Sequence, residues 1–599
     1  MCGIVGIVRK RGGVIKDLVI SLKKLEYRGY DSAGIAVLSG DKISVLKGVG
    51  TIERVISGSL NEIKDGNIGI GHTRWATHGG VSKENAHPLL SCDEKVAVVH
   101  NGTLDEFYSL RKQLTAMGHR FTSETDTEVI AHLIEDGLKE GEDPLNAFTK
   151  AVSQLRGSYA IASIISGRNF LLLARNKSPL VIGLGNEENY CASDVAALLH
   201  KTNRFIFLED EEIALISPDK VEIWRLNRGV KEKVERKAEI IDWSPQLLDK
   251  GNYDHFMLKE INEQPYILKK IAESLDYYQK FAATLSKYLK EGNLSIVAAG
   301  TSYHAGLIGK FLLSKLPQIR SEVIVASEFP EWSSHISKDD TILAISQSGE
   351  TADVLEAVRI ARSKGAKVLS IVNVPGSTLT RISDDTVFIQ AGPEVGVAAT
   401  KTFLAQVAVL YIVSSLISGV SPSKVEGDLL NVSMKLAGTM ASMDRVSREV
   451  SGILRGKEHA FFLGRGINYP TALEGALKLK EISYIHAEGY PAGEYKHGPL
   501  ALIDEGIPAV VLIPRDEEIR KKIIYNIMEV RSRGAFTITV QPEDVEVPSD
   551  WPIKVKVEDE FLSPLMYSAP LQLIAYHTAV SLGRDPDKPR HLAKSVTVE

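Results

Sequence analysis

The chain opens with Met1-Cys2-Gly3-Ile4-Val5-Gly6-Ile7-Val8, which sets a cysteine at the head of an apolar run typical of a buried strand. If Met1 is removed, Cys2 carries both a thiol and a free α-amine. The amine has an unperturbed pKa of about 7.7–8.0, so near neutral pH it can accept the proton that the thiol must lose. The segment therefore favours a fold built around an N-terminal nucleophile. The alternative is that cysteine is merely a small residue tolerated after Met1.

Length and composition narrow the class of protein. A chain of 599 residues exceeds one hydrophobic core and predicts three or four domains. The net charge of -5 gives no basic footprint for nucleic acid or an anionic membrane. Cys2, Cys92 and Cys191 are too few and too scattered for a disulfide framework or a zinc site, which fits a reducing cytoplasm. The apolar segment 404–417 is shorter than the roughly 20 residues of a membrane helix, so it predicts a buried helix.

The pattern of predicted strands and helices changes along the chain. Short strands broken by Gly, Asn and Asp dominate the first part and predict stacked, largely antiparallel sheets. Later the pattern becomes strand, glycine-rich turn and helix, which predicts a doubly wound α/β fold with ligands at the carboxyl ends of the strands. The stretch 459–466 repeats the strand and turn of 294–300, so two such domains stand in tandem. The predicted segments are a first domain 2–240, a linker 241–250, tandem domains 251–445 and 446–583, and a tail 584–599. A helix in the stretch 254–260 is predicted to end before Pro265.

The loop Ser346-Gln347-Ser348-Gly349-Glu350-Thr351 follows one predicted strand and opens a helix. Free backbone N–H groups and hydroxyl donors at a helix start favour an anion, so we predict a phosphate site. The alternative is ordinary capping of the helix by one hydroxyl. Thr301 and Ser302, at the neighbouring strand end, could hold sugar hydroxyls.

Three further groups could carry proton chemistry. Glu474, Lys478 and Glu481 fall on one helical stripe, which indicates either a solvated salt-bridge ladder or a carboxylate base held beside a cation. His497 is a further candidate acid or base. Lys594 lies in a tail that cannot be helical across its prolines; if the tail folds back, a buried lysine there could form an imine with a sugar carbonyl.

The first domain holds residue types that a glutamine substrate requires. Its carboxylate needs an arginine, its ammonium an acid, and the tetrahedral oxyanion needs donors. Arg74, Asp126 and the pair Asn101-Gly102 could fill these roles. Spacing alone does not bring them to Cys2.

Several of these stretches together resemble known families. The motifs are Cys2-Gly3-Ile4-Val5-Gly6, Tyr27-Arg28-Gly29-Tyr30-Asp31-Ser32-Ala33-Gly34, the run 73–79, His100-Asn101-Gly102, Ser346-Gln347-Ser348-Gly349-Glu350-Thr351, Lys480-Glu481-Ile482-Ser483-Tyr484, Lys496-His497-Gly498-Pro499-Leu500 and the run 592–599. The first four resemble class II glutamine amidotransferase domains and the others resemble sugar isomerase domains. In this order they are similar to the isomerizing glutamine–fructose-6-phosphate aminotransferase family. The resemblance implies an α+β N-terminal nucleophile (αββα) glutaminase domain followed by two α/β doubly wound, flavodoxin-like sugar isomerase (SIS) domains.

The resemblance also implies roles in a glutaminase site. Cys2 attacks the glutamine amide with its own amine as base, Asn101 and Gly102 form the oxyanion hole, and Arg74 and Asp126 bind the α-carboxylate and α-amine. The residues that complete and gate this pocket are Arg28, Trp75, Thr77 and His87.

In the isomerase site, the resemblance implies that Lys594 forms an imine with fructose 6-phosphate. Glu481 moves a proton between C1 and C2 with help from Lys478, and His497 of a neighbouring subunit opens the sugar ring. The residues implied to bind the sugar phosphate are Thr301, Ser302, Ser346, Gln347, Ser348, Thr351, the backbone of Val397, and Ala593. Freed ammonia would be protonated in water, so a dry passage between the two sites makes chemical sense.

The implied protein acts on glutamine and fructose 6-phosphate in the cytoplasm, is at least a homodimer, and uses neither metal nor organic cofactor. Three positions depart from the family pattern. Ala399 stands where serine is common, Ala299 where cysteine is frequent, and His591 where asparagine is usual; the first puts sugar affinity in doubt. Two alternatives stay open: an amidotransferase acting on phosphoribosyl pyrophosphate, and a sugar-phosphate sensor without catalysis.

Overall fold

The computed structural model describes residues 2–227, 229–243, 245–289 and 292–597. The predicted removal of Met1 and parts of the predicted linker and tail (Ser244 and residues 598–599) therefore lie outside the described residues. The chain divides into two compact units. The first comprises Met1–Leu248, Gly376–Thr378 and Ser595–Glu599, and the second Asp249–Pro375 and Leu379–Lys594. The domain boundaries given above stay a prediction.

Two antiparallel sheets form the first unit. The strands in chain order are β1 Gly3–Arg9, β2 Ser32–Ser39, β3 Lys42–Val49, β4 Ile68–Arg74, β5 Leu89–Leu90, β6 Val96–Leu104, β7 Gly157–Ile165, β8 Leu171–Asn176, β9 Val181–Leu184, β10 Glu188–Ala192, β11 Arg204–Phe207, β12 Glu212–Ile216, β13 Val221–Asn227, β14 Val230–Val234 and β15 Glu239–Ile240. The eight-stranded sheet has the order β15-β11-β9-β10-β1-β4-β2-β3, and the seven-stranded sheet has the order β14-β13-β12-β8-β7-β6-β5. The helices are α1 Ile15–Lys23, α2 Phe107–Ala116, α3 Glu128–Lys139 and α4 Pro144–Ser153.

The central strands of this unit are buried on both faces. In β1, Ile4 and Val8 pack between the two sheets, whereas Val5 and Ile7 pack on the opposite face with residues of α1. Strand β6 behaves in the same way, with one face between the sheets and the other against α3 and α4. Two helical layers enclosing two sheets explain why these strands read as continuous apolar runs rather than alternating ones. The predicted αββα arrangement is confirmed.

The second unit contains two five-stranded parallel sheets. Their strands are β16 Leu294–Ala298, β17 Ser321–Val325, β18 Thr341–Ser346, β19 Lys367–Val372 and β20 Asp385–Phe388, then β21 His459–Gly464, β22 His486–Pro491, β23 Pro508–Leu512, β24 Phe536–Pro542 and β25 Trp551–Val555. The orders β17-β16-β18-β19-β20 and β22-β21-β23-β24-β25 correspond strand by strand. The predicted tandem repeat of doubly wound sheets is confirmed.

The helices after residue 249 cover these sheets. They are α5 Phe256–Glu273, α6 Leu275–Tyr288, α7 Gly300–Lys315, α8 Phe329–Trp332, α9 Ala352–Ser363, α10 Thr378–Ile382, α11 Lys401–Ile417, α12 Pro422–Leu454, α13 Asn468–Ser483, α14 Glu517–Arg531 and α15 Ser563–Ser581. The apolar segment 404–417 lies in α11, which is buried almost throughout. Among the described residues, no helix combines the length and apolarity needed to cross a membrane.

One predicted helix end is wrong. Helix α5 continues through Pro265 to Glu273 instead of ending before the proline. A proline inside a helix costs about 3 kcal/mol because it loses one hydrogen bond and crowds the preceding turn. Burial of Ile261 and Leu268 on either side of it offsets this cost, and the Pro265 carbonyl accepts a hydrogen bond from Ser433 Oγ at 2.7 Å.

Candidate active site

Cys2 lies at the start of β1, beside the end of β4. The pairing of Gly3 with Thr73 brings the residues after β4 next to the thiol. The Trp75 N–H donates to Cys2 Sγ at 3.2 Å, and Asn101 Nδ2 donates to the Cys2 carbonyl at 2.9 Å. Two strands that are distant in sequence therefore meet at the predicted nucleophile.

The surroundings of the thiol control its protonation. Burial raises the pKa of the Cys2 thiol above its ordinary value, the charge of Arg74 opposes that rise, and the charge of Asp126 adds to it. Arg74 in turn feels the charges of Cys2 and Asp126. The predicted nucleophile, arginine and acid thus lie within electrostatic reach of one another, and the resting thiol needs a base before it can attack.

A buried histidine pair orients the Asn101 amide. His72 Nε2 lies 3.0 Å from Asn101 Oδ1, so the amide nitrogen is the group turned toward Cys2. His87 Nδ1 lies 3.1 Å from His72 Nδ1, behind this contact. Burial lowers the pKa of His72 to about 3, so the ring is neutral near pH 7. His72 was not predicted as a positioning residue; it lies directly before the motif run 73–79.

Gly102 can be only glycine at its position in β6. Its φ is +128°, and a Cβ there would lie 2.0 Å from the Ser158 carbonyl oxygen. The strand therefore approaches β7 closely while presenting an unusual backbone conformation beside Asn101.

The other predicted glutamine-site residues have varied environments. The Arg74 guanidinium is buried and donates to the carbonyls of His78 at 2.5 Å and of Gly79 and Gly80 at 3.1 Å. Asp126 is buried and accepts from the Leu104 N–H at 3.0 Å.

Three more of the predicted residues lie around this group. Trp75 contacts Tyr30 edge to face at 5.5 Å. Thr77 is exposed. Arg28 donates to Asp194 at 2.7 Å, so it is held by a carboxylate in the structure.

In the second unit, the predicted phosphate loop joins β18 to α9. Ser346 Oγ accepts from the Gly349 N–H at 3.0 Å and lies 3.1 Å from Thr351 Oγ1. Ser348 Oγ accepts from the Glu350 N–H at 3.1 Å. The hydroxyls thus line a tight turn at the start of a helix, where backbone N–H groups favour an anion.

A buried charge cluster connects α7 with α13. Lys478 Nζ lies 2.6 Å from Glu481 and 3.4 Å from Glu474, and it donates to Thr301 Oγ1 at 3.1 Å. Thr301 donates in turn to Glu474 at 3.0 Å. Lys478 and Glu474 are 1% and 2% exposed, so the alternative of a solvated salt-bridge ladder is wrong.

The environment of Lys478 keeps it charged. Burial alone would lower the pKa of the Lys478 ammonium, but the carboxylates of Glu474 and Glu481 outweigh it and raise that pKa. Ser302, next to Thr301 in the first turn of α7, accepts from Gln406 Nε2 at 2.9 Å. These residues follow β16, whose carboxyl end is level with that of β18, so they share an edge of the sheet with Ser346.

The tail places Lys594 at the same edge. Lys594 Nζ donates to Glu394 at 2.5 Å and to the Gly396 carbonyl at 2.8 Å, in the segment that follows β20. The Asp587 carboxylate accepts from the N–H groups of Phe256 and Met257 at 2.7 and 2.8 Å, which fixes the tail at the start of α5. Burial would raise the pKa of Glu394, but Lys594 and local hydrogen bonds outweigh it and lower that pKa. The tail therefore folds back over this unit as far as Lys594.

Comparison with known proteins decides the family. The profile described as "Glutamine amidotransferase domain" matches residues 72–200, and the profile "SIS domain" matches residues 287–415 and 453–582. The chain is 46%, 45% and 44% identical to proteins named glutamine–fructose-6-phosphate aminotransferase [isomerizing] from Thermococcus kodakarensis, Pyrococcus horikoshii and Thermotoga maritima. Each comparison covers 100% of this chain and 100% of the relative.

The chain belongs to the isomerizing glutamine–fructose-6-phosphate aminotransferase family.

A solved structure agrees with membership of this aminotransferase family. The C-terminal domain of glucosamine-fructose-6-phosphate aminotransferase from Francisella tularensis is 36% identical, with a TM-score of 0.53, over 57% of this chain and 100% of that chain. The predicted family and fold class are confirmed. Similarity over the full length favours the aminotransferase interpretation over the two alternatives.

Of the remaining aminotransferase residues predicted from the sequence, His497 lies apart from these clusters, whereas Gln347, Val397 and Ala593 lie next to residues already described. His497 is exposed on the turn after β22, and no contact recorded among the described residues joins it to Glu481 or Lys594. Val397 N–H donates to the Asp587 carbonyl at 3.3 Å, the Gln347 carbonyl accepts from the Asn373 N–H at 3.1 Å, and Ala593 is half-buried.

Glu394, the partner of Lys594, was not predicted, because no periodicity or motif in the sequence marks it.

Proposed function

We propose that this chain hydrolyses glutamine at Cys2 and uses the ammonia to convert fructose 6-phosphate into glucosamine 6-phosphate. Identity of 44–46% to isomerizing aminotransferases over the full length is the observation that carries this reaction. The residue roles are those that the family resemblance implies, and contacts within each unit support the roles of Cys2, Asn101, Lys478 and Lys594.

In the proposed glutaminase step, the α-amine of Cys2 takes the thiol proton after Met1 is removed. Cys2 Sγ then attacks the amide carbon, and Asn101 Nδ2 with the Gly102 N–H stabilises the oxyanion. The C–N bond breaks, the proton passes to the leaving ammonia, and water hydrolyses the thioester to glutamate. Arg74 and Asp126 bind the α-carboxylate and the α-amine. The residues that complete the pocket are Arg28, Trp75, Thr77 and His87.

In the proposed isomerase step, Lys594 Nζ attacks C2 of the open ketose and water leaves, which gives an imine. Ammonia replaces the lysine at C2. Glu481, held by Lys478, then removes a proton from C1 and returns it at C2, while the O1 hydroxyl proton passes to the imine nitrogen. C1 thereby becomes the aldehyde and C2 carries the amine, so no further group leaves. The residues that bind the phosphate and hydroxyls are Thr301, Ser302, Ser346, Gln347, Ser348, Thr351, Val397 and Ala593.

Lys594 must become neutral before it attacks. Glu394, 2.5 Å from its ammonium, is the carboxylate placed to receive the proton. Because the pKa of Glu394 is lowered in the resting state, this transfer requires the substrate to alter the pair. We therefore propose that sugar phosphate binding at the loop 346–351 precedes imine formation.

We also propose that the working form is a homodimer in which a neighbouring subunit supplies His497, and that the protein acts in the cytoplasm. The exposed position of His497 on its own chain supports the first proposal. A phosphorylated sugar substrate, which is an intracellular metabolite class, supports the second.

The direct test supplies glutamine and fructose 6-phosphate to the purified chain and measures glutamate and amino sugar together. We expect equal amounts of both products. Lys594→Met should keep glutamate release and abolish amino sugar, whereas Cys2→Ala should abolish both. Lys588→Met, which changes an exposed lysine of the same tail, is the matched control and should keep both. Glutamate release without amino sugar from the unaltered chain would overturn the proposal.

A further inference from the structure

Four side chains in the first unit meet away from the glutaminase residues. They are Cys92, His119, His132 and Glu135, and one ligand atom from each lies within 4.8 Å of all the others. Cys92 lies in the turn between β5 and β6, His119 follows α2, and His132 and Glu135 lie one turn apart on α3. Three segments distant in sequence therefore bring one sulfur, two nitrogens and one oxygen together.

Four of the six distances between the ligand atoms match a tetrahedral metal site, and the remaining two are at most 4.8 Å. Cys92 Sγ lies 3.6 Å from His119 Nδ1 and 3.7 Å from His132 Nδ1. Glu135 Oε2 lies 3.3 Å from each of the same two nitrogens. Zinc bonds of about 2.3 Å to sulfur and about 2.0–2.1 Å to nitrogen or oxygen place tetrahedral ligands about 3.6 Å apart for S and N, and about 3.3 Å apart for N and O.

A carboxylate outside the cluster orients the His119 ring. His119 Nε2 lies 2.8 Å from Asp136 Oδ1, which favours a proton on Nε2 and leaves the Nδ1 lone pair directed at the cluster, as in carboxylate–histidine–zinc sites. The Glu128 carboxylate lies on the outer side of His132, 3.7 Å from Nε2. The Arg120 N–H also donates to Cys92 Sγ at 3.3 Å, a contact that stabilises a thiolate.

Glu128 is itself fixed. Its carboxylate accepts from the N–H and Oγ1 of Thr122 at 2.7 and 2.9 Å, and from the N–H and Oγ of Ser123 at 2.7 Å each. These contacts hold Glu128 on the outer side of His132, away from Cys92 and Glu135.

We propose that Cys92, His119, His132 and Glu135 bind one Zn²⁺ ion. A thiolate with two imidazoles suits zinc rather than magnesium or calcium, which prefer oxygen ligands. Four protein ligands fill a tetrahedral site, so the ion is structural and not catalytic. A cavity of about 520 Å³ lined by Cys92, Arg120 and Glu128 gives the ion a route of entry.

The ion would fasten the segment that carries a proposed substrate ligand. Asp126 lies between His119 and His132 in the chain, and its carboxylate is anchored in the same unit through the Leu104 N–H. A metal that joins both ends of this segment to the turn at Cys92 would hold Asp126 in place. Loss of the metal should therefore raise the KM for glutamine more than it lowers kcat.

The spacing of the cysteines in the sequence does not indicate this site. From the sequence, three cysteines were too few and too scattered to predict a zinc site, and the two histidines lie 13 residues apart with no common motif. Only His132 and Glu135 share a helical face at a spacing of three. In the alternative, His119 and His132 only hydrogen-bond to Glu135 and no metal ion binds. This alternative predicts that the chain takes up no metal.

The test uses the full chain stripped of metal with a strong chelator and then titrated with Co²⁺. We expect one equivalent per chain, with the absorption of tetrahedral Co²⁺ and a thiolate-to-cobalt charge-transfer band, and displacement by one equivalent of Zn²⁺. Cys92→Ser should lose the charge-transfer band, and His132→Asn should lose tight binding.

Two matched variants make the result specific. Cys2→Ser removes the other partly accessible thiol and should keep the cobalt spectrum, as should His486→Asn, which changes an exposed histidine far from the cluster in sequence. If the unaltered chain takes up no cobalt, or if the band survives Cys92→Ser and disappears in Cys2→Ser, the proposal is overturned. The unaltered chain decides the first point even if the Cys92 variant does not fold.

Discussion

At the scale of single residues, Gly102 is where backbone geometry limits the oxyanion site most sharply. Gly102→Ala would place Cβ 2.0 Å from the Ser158 carbonyl oxygen at a φ of +128°. We expect a loss of glutaminase activity of at least tenfold and a lower unfolding temperature of the first unit, because strain of about 1–3 kcal/mol adds to a backbone clash. Gly13→Ala has a comparable φ of +106° and open space around it, so it isolates the strain alone. Equal glutaminase activity in the two variants would contradict the assignment.

Lys478 makes a second prediction at this scale. Lys478→Met removes the ammonium between Glu474 and Glu481 and leaves Glu474 buried with only Thr301 and His304 as partners, which should destabilise the second unit by about 3–5 kcal/mol and abolish amino sugar formation. Lys521→Met, an exposed lysine of α14 paired with two exposed glutamates, should change neither quantity appreciably. Hydrogen exchange of α13, read with the product assay, measures both effects. A stable, active Lys478→Met chain is the result that we do not expect.

The pH dependence of the Lys478 contribution follows from the direction of its pKa shift. The pKa is raised in the folded chain, so the unfolded state loses the proton first as pH increases. The stabilising contribution is therefore complete below the unfolded pKa of about 10.4 and is lost only as pH rises through the folded value. We expect the stability difference between the unaltered chain and Lys478→Met to be constant from pH 7 to about pH 10. A difference that declined between pH 7 and 9 would show that Lys478 is not held by its carboxylates.

At the scale of elements, the tail controls the start of α5. Asp587 accepts from the Phe256 and Met257 N–H groups, and the residue before the helix offers no side-chain cap of its own. Asp587→Ala should cost about 0.5–2 kcal/mol of stability and lower amino sugar synthesis while glutamate release persists, because Lys594 lies on the same tail. Asp516→Ala removes a similar cap from α14 and should cost stability without uncoupling the two activities. If both variants lost amino sugar synthesis while keeping glutamate release, the effect of Asp587→Ala would not depend on the tail.

The sequence predicted an element correctly where neighbouring residues determine its secondary structure, and failed where distant contacts determine it. The strand at Ile4 to Val8 and the helix opened by Thr351 follow from apolar runs and turn residues, and both are present. Pro265 was misjudged because packing against α12, which is 168 residues away at Ser433, outweighs a local rule. The Glu474 stripe could be solvated or buried on spacing alone, and only its burial against α7, where Glu474 accepts from Thr301, decides between the two. His72 behind Asn101 and Glu394 beside Lys594 depend on pairings between distant segments that no periodicity records.

At the scale of the whole molecule, the proposal that His497 acts in the site of the neighbouring subunit can be tested by mixing inactive chains. Coexpressed His497→Ala and Lys594→Met chains form mixed dimers in which one site contains both native groups, if His497 acts on the partner's site. Random assembly gives half mixed dimers with one working site in two, so about a quarter of the unaltered synthesis should return. Glu481→Gln coexpressed with Lys594→Met is the control, because both residues serve the site of their own chain and no working site can form. Activity no higher than that of the separate variants would place His497 in the site of its own chain, and its exposed turn would then have to close over Glu481 during catalysis.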